Sequence, residues 1–204
     1  MTLLYLIRHA RSTWNAAGRM QGQADPPLDE AGRAQAQALA ERLKDETFHA
    51  VYSSPLARAR ETAEILIASR AVQPPLVFDD RLMERHLGEW TGLTGDEARD
   101  RFPENGGRDW RVDGPPGGES QAELTGRAAE VVGSILAVHP DQAVAIVSHG
   151  GTLNAYLAYL LGIPPEKPVG FRFSNCSLAR LSVRGENVYL LSLGEESHLE
   201  GMRN

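Results

Sequence analysis

Short apolar runs recur along the chain and predict buried strands. The runs at 3–7 and 143–147 are wholly apolar, which is typical of parallel strands that helices cover on both faces. The segments 48–52 and 76–78 indicate two more strands. Towards the C-terminus, the alternation of apolar and polar residues predicts further strands. These lie at 170–173, 177–183 and 188–193.

Apolar positions at helical spacing fill the segments between these strands. The strongest helix prediction starts after a capping box formed by Ser120 and Glu123 and continues with apolar residues 3.6 positions apart. A second helix is predicted from the N-cap Asp29 to Lys44. Two more helices follow strands directly. One starts at SSP, with Pro55 in its first turn, and the other starts at SHGG.

Strands that alternate with helices predict an α/β protein of three layers, with a largely parallel central sheet and helices on both faces. We expect a single domain over residues 1–204 that contains two less regular stretches. The first is a loop at 15–28, which is long enough to be functional. The second is an inserted excursion at about 81–118, in which the capping box of Thr94 and Glu97 predicts one helix.

Composition narrows the classes of function. A formal charge of −6 argues against a broad nucleic-acid footprint, because that binding needs clustered Lys and Arg over one face. No apolar run is long enough to span a bilayer, so neither nucleic acid nor a membrane is an expected partner. The single cysteine, Cys176, excludes an internal disulfide and fits a reducing cytoplasm. Because the net charge is negative, any anion site must be local and made by a few arginines.

Two of the predicted parallel strands end in a histidine. Arg8 and His9 follow the first strand, and His149 follows the run at 143–147. Ligands of such sheets bind beyond the carboxyl ends of the strands, where both histidines lie. Together with Arg58 from SSPLARARETA, Arg8 would make an anion pocket, since guanidinium groups match phosphate oxygens. The positive charge also favours the neutral imidazole, whose lone pair can attack phosphorus.

Each of these residues alone has a simpler interpretation. A histidine at a strand end is more often a satisfied structural group, and an arginine beside it is usually solvated. Arg58 could be a cation on a helix surface, and Glu84 in LMERHLGEW a capping or surface carboxylate. We favour a functional site because the combination is far less expected by chance than any one member.

This combination resembles the histidine phosphatase superfamily, which contains cofactor-dependent phosphoglycerate mutases and many phosphatases. The resemblance covers nearly the whole chain through six stretches in the order of the family. These are LIRHARSTWN, GRMQGQADPPLDEAG, SSPLARARETA, LMERHLGEWTGLT, PGGES and VSHGGTLNAYL. The resemblance implies a phosphoglycerate mutase-like fold and one histidine phosphatase domain.

The resemblance also implies a role for each candidate residue. His9 is the expected phosphorylated nucleophile, and Glu84 is the expected proton donor. The expected ligands of the phosphoryl group are Arg8, Arg58 and His149. Further contacts to substrate are expected from Asn15, Gln21, Gly22 and Gly150.

The implied reaction has two steps. Glu84, protonated when substrate binds, gives its proton to the leaving alkoxide as the phosphoryl group moves to His9. The same carboxylate then deprotonates the water that attacks phosphohistidine. Two arginines and two histidines meet the charge of the phosphoryl group, so no metal and no cofactor are expected.

Two residues of the nucleophile loop depart from the family pattern. Ala10 stands where the family usually has glycine, so we expect an ordinary backbone conformation there and not a positive φ. Arg11 replaces a residue that is commonly Glu or Gln. In the simpler interpretation Arg11 is a solvated loop residue. In the functional interpretation it contacts a second acidic group on the substrate.

The sequence favours the phosphatase branch of the family. Mutases carry a lysine and adjacent arginines after the proton donor, and this chain has neither between Leu87 and Gly117. We therefore predict a histidine acid phosphatase-type enzyme that hydrolyses a small phosphorylated metabolite without a metal. The first alternative is a cofactor-dependent phosphoglycerate mutase, because ERH at 84–86 is similar to the mutases. A binding module without catalysis is a further alternative, and a homo-oligomer is compatible with the sequence.

Overall fold

Strands and helices alternate along the chain. The computed structural model describes residues 1–103, 109–167 and 170–202. Its strands are β1 Thr2–Arg8, β2 Ala50–Ser53, β3 Leu76–Phe78, β4 Ala143–Ser148, β5 Leu178–Arg184 and β6 Asn187–Glu195. Its helices are α1 Thr13–Ala16, α2 Glu30–Arg42, α3 Ala57–Ala68, α4 Gly95–Arg101, α5 Trp110–Asp113, α6 Gln121–Val138 and α7 Gly150–Leu160. Within the described ranges, no helix is both long and apolar enough to cross a membrane.

These six strands form one sheet in the order β3-β2-β4-β1-β5-β6. The first four strands of that order run parallel to one another, whereas β5 and β6 are antiparallel to their neighbours. In the pairing of β1 with β4, Arg8 lies opposite Ser148. The carboxyl ends of these two strands therefore lie side by side, in a sheet that is largely parallel, as predicted.

The central strands are apolar on both faces because helices cover both. In β1, Tyr5 and Ile7 belong to a core cluster with α2 and α3, whereas Leu4 and Leu6 belong to a second cluster with α6 and α7. Successive side chains of a strand point to opposite faces, so two covered faces require an unbroken apolar run. The three-layer α/β fold is confirmed.

The predicted helix starts are close to the observed ones. Ser120 and Glu123 form the capping box of α6, and the side chain of Asp29 caps α2. Two boundaries differ by one or two residues from the prediction. Helix α2 ends at Arg42, and Pro55 lies just before the N-cap of α3 instead of inside its first turn.

The segment at 170–173 is not a strand, so this part of the sequence prediction is wrong. The backbone N–H of Phe171 donates to the side chain of Asn154 on α7. The carbonyl of Phe173 accepts from the guanidinium of Arg8. Phe173 is buried against the α6 and α7 cluster, which gives the segment its alternating pattern. The alternating pattern thus reflects burial of the apolar side chains. The backbone groups of the segment bond to side chains instead of to a neighbouring strand.

The excursion contains more regular structure than the one predicted helix. In its described parts, 81–103 and 109–118, α4 starts with the predicted capping box, and the shorter α5 begins after Asp109. Helix α5 ends at Asp113 and is followed by Gly114, whose φ of +84° favours glycine. Four residues are too few to show helical periodicity, so the pattern does not predict α5. Residues 104–108 of the excursion lie outside the described residues, and the single domain over 1–204 stays a prediction.

Candidate active site

The ends of β1 and β4 bring His9 and His149 into contact. Their ring centroids are 5.0 Å apart, and the ring planes are tilted by 56°. The backbone N–H of His9 donates to the carbonyl of Ser148 at 2.9 Å, so the pairing of the two strands continues to the nucleophile candidate. The two histidines therefore meet at the carboxyl edge of the sheet, where the sequence places them.

The ring of His9 is held with one nitrogen free. Its Nδ1 lies 2.7 Å from the carbonyl oxygen of Ala10, which can only accept, so Nδ1 carries the proton and Nε2 the lone pair. Burial lowers the pKa of His9 well below 6.5, and the positive charges of Arg58 and Arg8 lower it further. At neutral pH His9 is therefore an uncharged imidazole with a nucleophilic Nε2.

A cavity of about 520 Å³ lies at this edge of the sheet and is lined by His9, Arg8 and Arg58. Arg58 is completely buried and donates to the carbonyl oxygens of Gly22 and Ala24, each at 2.7 Å. Arg8 donates to one backbone carbonyl at 2.6 Å. Neither guanidinium has a salt-bridge partner among the described residues. Both positive charges are therefore available to a ligand in the cavity.

Three nitrogen atoms near His9 are buried and have no hydrogen-bond partner in the described part of the chain. They are Nε of Arg8, Nε of Arg58 and Nδ1 of His149. Burial also works against the charge of these arginines and lowers the pKa of Arg58 to about 10. Buried donors without partners are costly and rare in folded proteins. This cluster is complementary to an anion that accepts several hydrogen bonds, such as a phosphoryl group.

Ser54, the residue that follows β2, forms a hydrogen bond with His149. The Nε2 of His149 lies 2.8 Å from Oγ of Ser54, and that oxygen accepts from the N–H of Leu56 at 3.3 Å. The hydroxyl can donate its own proton to Nε2, and in that arrangement neutral His149 carries its proton on Nδ1. Burial, followed by the charge of Arg58, holds the pKa of His149 well below 6.5. His149 is fully buried, as Arg58 is, but unlike the two arginines it does not line the cavity.

Glu84 lies at the N-terminus of α7 and lines the same cavity. Its carboxylate accepts from the N–H groups of Gly151 and Thr152 at 3.1 and 3.2 Å, and from that of Arg85 at 2.8 Å. The carboxylate of Glu84 lies close to the backbone of α7. A Cβ on Gly151 would lie only 2.4 Å from the nearer carboxylate oxygen. These contacts place a carboxyl group beside the two arginines, where a proton donor is expected.

The four residues predicted to contact substrate all line the cavity, namely Asn15, Gln21, Gly22 and Gly150. Ser12 organises two of them. Its hydroxyl donates to Oε1 of Gln21 at 2.7 Å, and the backbone N–H of Ser12 donates to Oδ1 of Asn15 at 3.1 Å. Because their oxygens are engaged, these amides present N–H₂ groups to an oxygen-rich ligand. Gly22 has a φ of +50°, a conformation that favours glycine, and its carbonyl holds Arg58.

A family model matches most of the chain. The model, described as the histidine phosphatase superfamily (branch 1), covers residues 4–196. The chain belongs to the histidine phosphatase superfamily. The family resemblance carried by the six sequence stretches is confirmed.

Relatives of this histidine phosphatase carry both phosphatase and mutase names. The chain is 36% identical to the metal-independent phosphoserine phosphatase of Arabidopsis thaliana, over 99% of this chain and 85% of the relative. It is 34% identical to the Salmonella choleraesuis protein named "Probable phosphoglycerate mutase GpmB", over 98% of this chain and 96% of the relative.

Solved structures of similar proteins share the fold along almost the whole chain. Bacillus stearothermophilus YhfR superimposes with a TM-score of 0.88 at 35% identity, covering 98% of this chain and 100% of the other. A mycobacterial glucosyl-3-phosphoglycerate phosphatase superimposes with a TM-score of 0.83 at 34% identity, covering 95% and 99%. The predicted function, a phosphatase of this superfamily, is confirmed at that level.

Part of this histidine phosphatase site has no counterpart in the sequence prediction. Arg85, Trp110 and Arg111 also line the cavity. Arg85 is buried and donates to the carbonyls of Trp110 and Arg111 at 3.3 and 3.1 Å, which holds α5 at the cavity. No local pattern points to this contact. A signal exists for Ser54, because it lies two residues after the predicted strand at 48–52, which pairs with β4.

The two unusual residues of the nucleophile loop have structural explanations. Ala10 is absent from the non-glycine residues with positive φ in the described chain, so its predicted ordinary conformation is confirmed. Its methyl group is fully buried in the cluster of α2 and α3. Arg11 does not line the cavity, and its Nε pairs with the N-cap carboxylate of Asp29 at 2.8 Å. The structure therefore contradicts a substrate contact by Arg11, which instead fastens the loop to α2.

Proposed function

We propose that this protein hydrolyses phosphomonoesters through a phosphohistidine formed on His9. The observation that carries the proposal is the free Nε2 lone pair of His9 near the unpartnered nitrogens of Arg8, Arg58 and His149. A neutral nucleophile next to cationic and polar donors suits a phosphoryl group, because the donors stabilise charge on its oxygens during transfer.

The first step forms one bond and breaks one. Nε2 of His9 attacks phosphorus, and the bond between phosphorus and the ester oxygen breaks. Glu84, in its protonated form, gives its proton to that oxygen, so the product leaves as an alcohol. Arg8 and Arg58 bind the phosphoryl oxygens throughout.

The second step returns the enzyme to its first state. Water enters in place of the alcohol, and the carboxylate of Glu84 takes one of its protons as the oxygen attacks phosphorus. The bond from phosphorus to Nε2 breaks, its electrons return to the imidazole, and inorganic phosphate leaves. His9 is again neutral, and Glu84 again carries a proton.

The outer cavity supports a small substrate of mixed polarity. Leu87, Leu124 and Trp110 supply apolar walls, and Gln121 and Asn154 supply amides. A volume of about 520 Å³ is that of a site for a metabolite-sized molecule. Two similar proteins are named for phosphoserine and glucosyl-3-phosphoglycerate, which supports a small phosphorylated metabolite as the partner.

We further assign the protein to the histidine acid phosphatase type and to the cytoplasm. The first assignment rests on a nucleophilic histidine, two arginines and a carboxyl proton donor that act together. The second rests on Cys176, the only cysteine of the chain, which is a buried free thiol.

Phosphoglycerate mutase is the second candidate, and one relative carries that name. Arg85, which follows Glu84 in the stretch similar to mutases, lines the cavity. In a mutase, a hydroxyl of the substrate would take the phosphoryl group from His9 in place of water. Isomerisation of 3-phosphoglycerate that depends on added 2,3-bisphosphoglycerate would establish this activity and overturn the phosphatase proposal.

A panel of phosphomonoesters assayed with a chelator tests the proposal. We expect release of inorganic phosphate from at least one small alkyl ester, with the same rate in the presence and absence of chelator. The His9→Ala variant should lose all turnover and still bind the substrate. The proposal is wrong if the wild type hydrolyses none of the esters or if His9→Ala retains the wild-type rate.

A further inference from the structure

The backbone around Glu84 is irregular, so its fixed position needs an explanation. Residues 84–87 belong to no helix or strand. The N-terminus of α7 holds the carboxylate itself through Gly151 and Thr152. A carboxyl group that must release its proton also needs a backbone that stays in place when those bonds change. In this protein α6 and the residue before its N-cap supply that support.

Arg127 of α6 binds the chain on the N-terminal side of Glu84. Its Nη1 donates to the carbonyl of Arg81 at 2.8 Å and to that of Met83 at 2.7 Å. Its Nη2 reaches the carbonyl of Glu84 itself at 3.5 Å. One guanidinium therefore fixes three carbonyl groups of the segment that leads to the proton donor.

Glu119 binds the chain on the C-terminal side. Its Oε2 accepts from the backbone N–H of His86 at 3.2 Å, and its own backbone N–H donates to the carbonyl of His86 at 2.8 Å. Its carbonyl accepts from Nε of Arg85 at 2.7 Å. The two residues after Glu84 are thus tied to one glutamate.

The two supports are joined to each other. Nε and Nη2 of Arg127 pair with the two carboxylate oxygens of Glu119 at 2.9 and 2.7 Å. The side chains are only 19% and 13% exposed, so water screens this pair weakly. Because each partner also binds one flank of Glu84, displacement of either partner moves the segment.

We propose that Arg127 and Glu119 are positioning residues for the proton donor. The pair fixes the distance between the carboxyl group of Glu84 and the leaving oxygen, and neither residue touches the substrate. The inference rests on the proposed function, in which Glu84 protonates the leaving group.

Two leaving groups separate a positioning role from a general structural role. An alkoxide needs a proton to leave, whereas p-nitrophenolate leaves without one. In Arg127→Met and in Glu119→Gln, we expect kcat/KM for the best alkyl ester of the panel to fall at least about tenfold more than kcat/KM for p-nitrophenyl phosphate. This ratio reports the phosphorylation step, whereas hydrolysis of the phosphohistidine needs Glu84 equally for both esters. Glu84→Gln removes the proton donor itself, so it should show the largest difference between the two esters. This difference sets the scale for the other variants.

Arg33→Met is the matched control, because it removes an arginine from an exposed pair with Glu61 that does not contact the Glu84 segment. We expect both rates to stay at the wild-type value in this variant. The proposal is overturned if Arg127→Met slows both esters equally or slows neither. If Arg127→Met loses its circular dichroism signal, Glu119→Gln and Arg127→Lys, which preserve side-chain volume, decide by the same split. A wild type that hydrolyses neither ester would instead refute the proposed function.

Discussion

The Nε2 of His149 lies 2.8 Å from the hydroxyl oxygen of Ser54, the residue that follows β2, so this hydroxyl can donate to Nε2 and leave the imidazole proton on Nδ1. That hydroxyl is the only hydrogen-bond partner of the imidazole in the described part of the chain. The Nδ1 of His149 can donate to a phosphoryl group only while Nε2 is without a proton.

Replacement of Ser54 by alanine should therefore weaken catalysis without a change in the nucleophile. We expect kcat/KM to fall about 10- to 100-fold and the free energy of unfolding to fall by about 1–3 kcal/mol, because a buried nitrogen loses its partner. Steady-state phosphate release and urea denaturation measure the two effects. Ser53→Ala removes a neighbouring buried hydroxyl that does not contact His149 and should keep the wild-type rate. A Ser54→Ala enzyme with unchanged kcat/KM would contradict this account.

The two buried imidazoles should make stability depend on pH. Their folded-state pKa values lie well below 6.5, so the unfolded chain binds more protons once the pH falls under about 6.5. The contribution of the two imidazoles to the free energy of unfolding should be fully present above that pH. Below it, the free energy of unfolding should decrease by about 1.4 kcal/mol per pH unit for each imidazole. Urea denaturation between about pH 7 and pH 5 measures the slope.

His149→Gln provides the control for this pH dependence. Glutamine cannot take up a proton, so the slope should decrease by about 1.4 kcal/mol per pH unit relative to the wild type. An unchanged slope would show that His149 is not held neutral in the folded protein.

Gly151→Ala should displace the proton donor. The added Cβ would lie 2.4 Å from Oε1 of Glu84, so the carboxylate has to move away from the N-terminus of α7. A displacement of about 1 Å can reduce the rate about 100-fold, and we expect a fall of this size in kcat for alkyl esters. The exposed Gly133 on α6 has open space around it, so Gly133→Ala should leave kcat unchanged. Equal rates for the two alanine variants would refute the close contact at Gly151.

Arg58→Met should affect binding of the phosphoryl group most. Loss of two charge-assisted hydrogen bonds of about 1.5–3 kcal/mol each predicts a fall in kcat/KM of about 10² to 10⁴. Inorganic phosphate should also inhibit this variant less than the wild type. Arg60 lies on the same helix and is exposed, so Arg60→Met should retain the wild-type kcat/KM. Retained kcat/KM in Arg58→Met would contradict the assignment.

The meeting of His9 and His149 could be predicted from the sequence because a general rule covers it. Each histidine follows a wholly apolar run, such runs form parallel strands, and the ends of parallel strands meet at one edge of a sheet. The same pattern cannot give the protonation of either ring. For His9 it depends on the backbone conformation that turns the carbonyl of the next residue, Ala10, towards Nδ1. For His149 it depends on Ser54, which lies 95 positions away in the sequence.

The outer cavity could not be predicted for a similar reason. Trp110 lies in a helix of four residues, too short for periodicity, and comes to the cavity because Arg85 holds its carbonyl. The support of Glu84 by Arg127 also depends on a guanidinium 43 positions away in the sequence. Local patterns do not contain contacts of this kind. At 170–173 the local pattern was present but reflected the burial of Phe173 and not strand pairing.

The covalent intermediate tests the central claim most directly. The wild type is mixed with the best substrate, quenched in alkali within one turnover, digested and examined by mass spectrometry. The account predicts phosphate on the peptide that contains His9, formed before inorganic phosphate is released at the steady rate and absent from His9→Ala. Turnover without a phosphorylated intermediate, or phosphate on any other residue, would contradict it.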